Sequence, residues 1–214
     1  MIHYPKIETL WNRDEKTHKV IVGSYRIPEF SNIRAWDLSE KVDGTNLRIN
    51  LAPSGEVTFS GRTDNAQLHA TIVKYLQETF TPEKMRAVFE TAGEYEATLF
   101  GEGYGAKIQK SGGLYRKGVS FRLFDVLIGR WWLEPDAVQD IANKLGIKTV
   151  PFLGEVDYLP RSADELRTII DMSIVASEDG GTGCLAEGVV ARTTPLLFTR
   201  RGDRLMWKLK FGDF

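Results

Sequence analysis

A single cysteine, Cys184, is all the thiol chemistry this chain of 214 residues holds, so an internal disulfide and a multi-thiolate zinc site are both excluded. Cys184 reads as a small residue in a strand or turn. Histidine is almost as scarce, and His3, His18 and His69 lack metal-ligand spacing. No apolar run approaches the length of a membrane span, which argues against a membrane protein. The N-terminus, Met1-Ile2-His3-Tyr4-Pro5-Lys6, has no basic segment followed by an apolar stretch, so no secretory signal is visible. An excess of one charge is missing too: 28 Lys+Arg stand against 29 Asp+Glu, giving a formal net charge of -1 and no global attraction for nucleic acid. Internal repeats, low-complexity tracts and Pro/Ser-rich linkers are absent. With 42% hydrophobic and 27% charged residues, the composition is that expected of one soluble globular domain spanning residues 1–214.

Charge is nevertheless uneven along the chain. Between Gly105 and Gly118 stand Lys107, Lys110, Arg116 and Lys117 with no acid, and near the end come Arg200, Arg201, Arg204, Lys208 and Lys210. Such clusters can face phosphates on a neutral protein, or merely solvate loops.

Hydrophobic periodicity outlines a sheet protein with helices on its edges. Residues 35–51 read as two strands broken at Asp43-Gly44, a dipeptide that signals a hairpin. Leu47, Ile49 and Leu51 share one face of the second strand, and Asn46, Arg48 and Asn50 the other. Glu56 to Gly61 is the next strand. Asp64 is the expected cap of a helix reaching Phe80, with Leu68, Ile72, Val73 and Leu76 at helical spacing, and Thr81-Pro82 opens a second. Strands follow at 95–102 and 119–128, the latter with Phe121, Leu123 and Asp125 alternating against Arg122, Phe124 and Val126. Glu134-Pro135 starts a helix that Gly146 ends, and Ser162-Ala163-Asp164-Glu165 is a capping box. Two last strands lie at 187–192 and 205–210. Trp131-Trp132 is assigned to the core. The repeat Gly101-x-Gly103-x-Gly105 lacks the strand-to-helix setting of a dinucleotide loop, which rejects a Rossmann reading.

The chemistry-bearing residues come as an ordered series: Lys41-Val42-Asp43-Gly44-Thr45-Asn46, Ser60-Gly61-Arg62, Phe100-Gly101-Glu102-Gly103, Phe124-Asp125-Val126, Glu187-Gly188-Val189-Val190 and Lys208-Leu209-Lys210. Lys41 is an amine nucleophile beside a tight turn. Lys208 and Lys210 lie two apart on a strand, which puts both on one face, as a shared phosphate requires. Gly101 and Gly103 flank Glu102, and their missing side chains suit close approach of a ligand to the backbone.

This series resembles the covalent nucleotidyltransferases, the group of ATP-dependent DNA ligases, RNA ligases and mRNA capping enzymes. The Thr45-Asn46 continuation is most similar to the nick-sealing RNA ligase branch, and the resemblance runs from about Glu40 to Lys210. It implies an α+β fold of antiparallel sheets flanked by helices, the nucleotidyltransferase (ATP-grasp-like) fold. It also implies an ATP-dependent enzyme joining RNA 3′-OH and 5′-phosphate ends. Lys41 would attack the α-phosphorus of ATP and carry AMP as a phosphoramidate, a step that needs a neutral amine. Lys208 and Lys210 would sit on the phosphates with Mg2+ or Mn2+. Glu187 would belong to the metal environment, with Asn46 acting on metal-bound water or the RNA 3′-OH. Glu102 would bind the ribose hydroxyls, Arg62 the ribose or terminal nucleotide, Phe124 the adenine face, and the backbone of Glu40 the adenine edge. The resemblance further suggests a monomer, cytoplasmic and either phage-encoded or cellular, consisting of the adenylyltransferase domain without a C-terminal OB-fold or accessory domain. Two alternatives stay open. Asp43 is shared with DNA ligases, so a DNA nick is one; a protein that binds ends without joining them is the other.

Overall fold

The computed structural model describes residues 3–214. Its strands are β1 (Glu8–Thr9), β2 (Trp11–Arg13), β3 (Val20–Tyr25), β4 (Trp36–Lys41), β5 (Thr45–Leu51), β6 (Val57–Gly61), β7 (Ala97–Gly105), β8 (Val119–Ile128), β9 (Trp131–Trp132), β10 (Lys148–Thr149), β11 (Phe152–Val156), β12 (Gly188–Arg192) and β13 (Met206–Lys210). The helices are α1 (Ala70–Thr79), α2 (Pro82–Val88), α3 (Gly112–Tyr115), α4 (Pro135–Leu145), α5 (Ala163–Ile169) and α6 (Ile174–Glu178). No helix of the described residues is long and apolar enough to cross a membrane.

The chain divides into two compact units. The first comprises the N-terminal end through Tyr4, Asp43–Val150 and Asp179–Thr182; the second comprises Pro5–Val42, Pro151–Glu178 and Gly183–Phe214. The first unit carries a sheet in the order β10-β8-β7-β5-β6, antiparallel except for β10 with β8. The alternation expected in β5 is present: Leu47 and Ile49 are fully buried and pack with Ile72, Leu76, Phe121, Leu123 and Val138 from the strands and helices. The opposite face carries two rows that run straight across the strands, the polar Asn46–Glu102–Arg122 and Arg48–Phe100–Asp125, in which an aromatic ring stands between two charged residues.

Phe124 sits at a bulge. Phe100 pairs with Asp125, whereas the adjoining Gly101 pairs with Leu123, leaving Phe124 as the extra residue of β8. The bulge shifts the alternation by one residue. Val126, not Asp125, therefore joins Phe121 and Leu123 in the core, and Asp125 moves to the polar face.

The second unit holds the sheet β1-β13-β12-β4-β11 and the separate β2–β3 pair. Its core gathers Trp36, Leu38, Val189, Ala191, Trp207 and Leu209 under α5, with Leu166 fully buried. Ser162 caps α5 by accepting from the Glu165 amide at 3.1 Å, but the Glu165 carboxylate reaches past the cap to the Arg161 amide, 2.8 Å.

Local expectations fared unevenly. Thr81 caps α2 with Pro82 at its start, and Gly146 closes α4 in the left-handed region at φ 66°. The hairpin at Asp43-Gly44 does not form, because β4 pairs with β12 and β11 while β5 pairs with β7 and β6. The dipeptide instead carries the chain from one sheet into the other. Gly44 is required there by close packing, since a Cβ would lie 2.3 Å from the Gly103 carbonyl oxygen.

Asp64 is not a helix cap either. α1 begins at Ala70 and is capped by His69, whose ring accepts from the Thr71 amide. The Asp64 carboxylate is held by Arg48, whose guanidinium, fully buried, donates at 2.6 Å, and it lies 3.2 Å from His3. The Arg48 hydrogen bond keeps the Asp64 carboxyl below its ordinary value. A carboxyl whose pKa is depressed on folding contributes stability above its unfolded value and loses it as pH falls through the folded one. In a carboxyl NMR titration Asp64 is expected to titrate below ordinary aspartate, and Arg48→Met to move it up towards that value. An unchanged midpoint in the variant would contradict the pairing.

Candidate active site

β4 turns one side chain into the core and the next to the sheet's other face. Glu40 is 1% exposed, and its carboxylate accepts from Ser173 Oγ (2.5 Å) and from the Ile174 (2.9 Å) and Val175 (3.1 Å) amides at the start of α6. The Glu40 amide donates to the Pro151 carbonyl at 3.0 Å. Lys41 points the other way. Gly188 lies directly across from both Lys41 on β4 and Lys210 on β13, so the two lysines flank it on one face. Glu187, just before β12, joins them: Lys41 Nζ donates to Oε2 at 2.6 Å, and Lys210 Nζ donates to Oε1. Lys208 lies on the same face as Lys210, two residues back and opposite Val190. The side chains of Lys41 and Glu187 keep only 20% and 18% of their exposure, so this pair is largely shielded from water, while Lys210 is more open at 37%.

The remaining expected residues belong to the first unit. Glu102 is half-buried on β7, directly between Asn46 and Arg122. Gly101 and Gly103 do not open the backbone to a ligand. Their bare faces are turned into the core, where a Cβ on Gly101 would lie 2.1 Å from the Phe121 ring and one on Gly103 2.5 Å from Leu47. Phe124 is half-buried, with the Tyr4 ring edge-on at 5.0 Å. Tyr4 also contacts Phe100 at 5.1 Å and Trp132 at 5.8 Å, and its hydroxyl donates to the buried Asp125. Trp132 thus belongs to an aromatic cluster, while Trp131 is 65% exposed and not core. Arg62 is exposed just beyond β6, and its carbonyl lies 3.3 Å from the His3 ring.

Sequence reasoning missed Tyr4 and the inward anchoring of Glu40. Tyr4 stands outside every periodic segment, and α6 was not expected at all. The polar face of β5 did flag Arg48.

Hard oxygen donors suited to a divalent cation are present. In the second unit Glu187 offers a carboxylate; in the first, taken by itself, the Asn46 Oδ1 is buried with no hydrogen-bond partner among the described residues. No group of three or more His, Cys, Asp or Glu side chains converges among those residues. A bound Mg2+ or Mn2+ would therefore take most of its ligands from phosphates and water.

The model of one family, RNA ligase, matches residues 34–210 of the chain. The chain belongs to the RNA ligase family. No curated protein sequence matches it significantly. Among solved structures, a variant of Naegleria gruberi RNA ligase with ATP and Mn aligns at TM-score 0.64 and 18% identity, over 98% of this chain and 56% of that one. Another variant of that ligase, with AMP and Mn, gives 0.64 at 19% identity with the same coverage. The ligase with PPi gives 0.63 at 19%, again covering 98% and 56%. This RNA ligase family member thus has the α+β fold of those enzymes and spans a little over half of their length.

Proposed function

We propose that the chain is an ATP-dependent RNA ligase that joins 3′-OH and 5′-phosphate ends through a lysyl-AMP. The observation that carries this reading is the triad of Lys41, Glu187 and Lys210 gathered about Gly188 in a family member, with the Lys41–Glu187 pair largely shielded from water. In the first step Lys41 Nζ, having given up its proton, attacks the α-phosphorus; an N–P bond forms and the bond to pyrophosphate breaks. In the second, an oxygen of the RNA 5′-phosphate attacks the same phosphorus, the N–P bond breaks, and Lys41 regains a proton. In the third, the 3′-OH attacks the adenylated 5′-phosphate and AMP leaves.

Each residue has a task in this scheme. Glu187 accepts from two ammoniums and, as an oxygen donor, would hold Mg2+ or Mn2+ with Asn46 acting through water. The metal would supply positive charge that favours the neutral amine and offsets charge on the phosphate. Lys208 and Lys210 hold and orient phosphate oxygens, since phosphoryl transfer depends mainly on positioning and electrostatics. Glu102 takes the ribose hydroxyls, Arg62 the ribose or terminal nucleotide, and Phe124 the adenine face, its ring braced by Tyr4. The Glu40 backbone reads the adenine edge. The enzyme acts as a monomer in a cytoplasm that supplies ATP.

The N. gruberi ligase, solved with ATP and Mn, with AMP and Mn, and with PPi, lends support through the substrate and products of a first step of this kind. With divalent metal, α-labelled ATP is expected to leave label on the denatured chain, and γ-labelled ATP none. Absence of label from α-labelled ATP would refute the reading. Pre-adenylated nicked RNA is expected to be sealed ahead of nicked DNA; sealing of DNA alone would replace RNA as the substrate.

A further inference from the structure

We infer that the segment from Gly105 to Gly118 in the first unit is a docking surface for the phosphate backbone of RNA, an inference that rests on the reading of this chain as an RNA ligase. With a net charge of -1 the protein has no global field to draw in a polyanion, so any electrostatic attraction must be local. This segment contains no acid. Lys107, Lys110 and Lys117 are exposed and form no ion pair among the described residues. Several lysines elsewhere are answered by carboxylates, Lys6 by Glu8 at 3.0 Å, Lys74 by Glu78 at 3.8 Å and Lys144 by Asp140 at 2.7 Å, and those that are not, such as Lys16 and Lys84, stand apart from one another in sequence.

Two carboxylates contact side chains of the segment, and both are engaged. Asp43 accepts from Ser111 Oγ at 2.5 Å. Asp179, 8% exposed, accepts from Tyr104 at 2.6 Å, Arg116 at 2.9 Å and Arg122 at 3.2 Å. Arg116 is therefore spent internally, and the three lysines present the outward charge.

The backbone beneath them is held in place. The Ala106 amide donates to the Gly118 carbonyl at 3.0 Å, closing the segment and bringing Lys107 and Lys117 beside the same stem. Gln109 donates to the Gly44 carbonyl at 2.7 Å, and Tyr115 is buried. Lys107 itself adopts φ 71°, a left-handed conformation that a non-glycine residue keeps only where its surroundings fix it. A surface ordered in advance loses little entropy on binding. Leu114, 49% exposed among the lysines, adds an apolar contact for a sugar or base. Exposed cations on a backbone held in place fit a sequence-independent hold on phosphates.

The test compares the full chain with the triple variant Lys107→Gln, Lys110→Gln, Lys117→Gln and the charge-preserving triple arginine variant, using a nicked RNA duplex across a salt series. The glutamine variant is expected to bind about 10- to 100-fold more weakly near 0.15 M salt, with the slope of log K against log salt shallower by about 2 to 3. The arginine variant should retain both affinity and slope. Unchanged affinity and slope in the glutamine variant would overturn the inference, as would equal losses in both variants. Label transfer from ATP, measured alongside, needs no RNA and should be equal in all three proteins. If that label is missing from every one of them, the ligase reading fails separately.

Discussion

Replacing Lys41 by alanine is expected to abolish transfer of label from α-labelled ATP to the chain, by on the order of 10^4-fold or more, as when an enzyme loses its nucleophile. Lys41→Arg should be equally inert. Arginine keeps the positive charge opposite Glu187 but does not deprotonate, so it cannot form the N–P bond. The pair of variants thus separates a nucleophile from a cation that merely balances the carboxylate at 2.6 Å. Pre-adenylated nicked RNA bypasses the lost step, and both variants should seal it far better than they charge themselves with AMP. Label persisting in either variant would move the nucleophile elsewhere. Failure of both variants on the pre-adenylated nick, with their folding intact, would give Lys41 a further role in joining.

Glu40→Ala is expected to cost about 3–5 kcal/mol of stability. Its carboxylate is 1% exposed and serves one hydroxyl and two amides at the start of α6. Truncation leaves three donors without their acceptor, two buried and one part-buried, a buried one being worth about 1–3 kcal/mol when unsatisfied. Glu40→Gln keeps volume and one acceptor oxygen, so it should lose about half as much. Urea unfolding with the slope held fixed measures both, and a loss below about 1 kcal/mol for the alanine variant would contradict the anchoring role. Glu40 fixes β4 from below while its neighbour Lys41 is presented above. The alanine variant should therefore lose part of its label transfer even under conditions where it stays folded.

The shared face of Lys208 and Lys210 was legible because the two come in a short run whose spacing is local. Strand period alone places Lys208 and Lys210 on one face, and the β12 register then brings Lys41 and Lys210 to either side of Gly188. Pairing partners were not legible. Asp43-Gly44 satisfies every local rule for a hairpin, yet β4 and β5 are claimed by different sheets, a tertiary preference that no window of sequence carries. The face of Asp125 was misassigned for a similar reason: one inserted residue at Phe124 reverses the alternation beyond it, and only the register with β7 reveals the bulge. Asp64 looked like a cap because capping needs a short acceptor, but a buried guanidinium from β5 competes for the same oxygen. Gly101 and Gly103 were correctly singled out and wrongly explained. Their bare faces serve the core against Phe121 and Leu47 rather than a ligand.

The most direct measurement is to incubate the protein with ATP and divalent metal, denature and digest it, and locate the AMP adduct by peptide mass spectrometry. AMP is expected on the peptide containing Lys41, bonded to its Nζ, and on no other lysine. AMP on Lys208, Lys210 or any other residue, or no adduct while nicked RNA is still sealed with ATP, would contradict it.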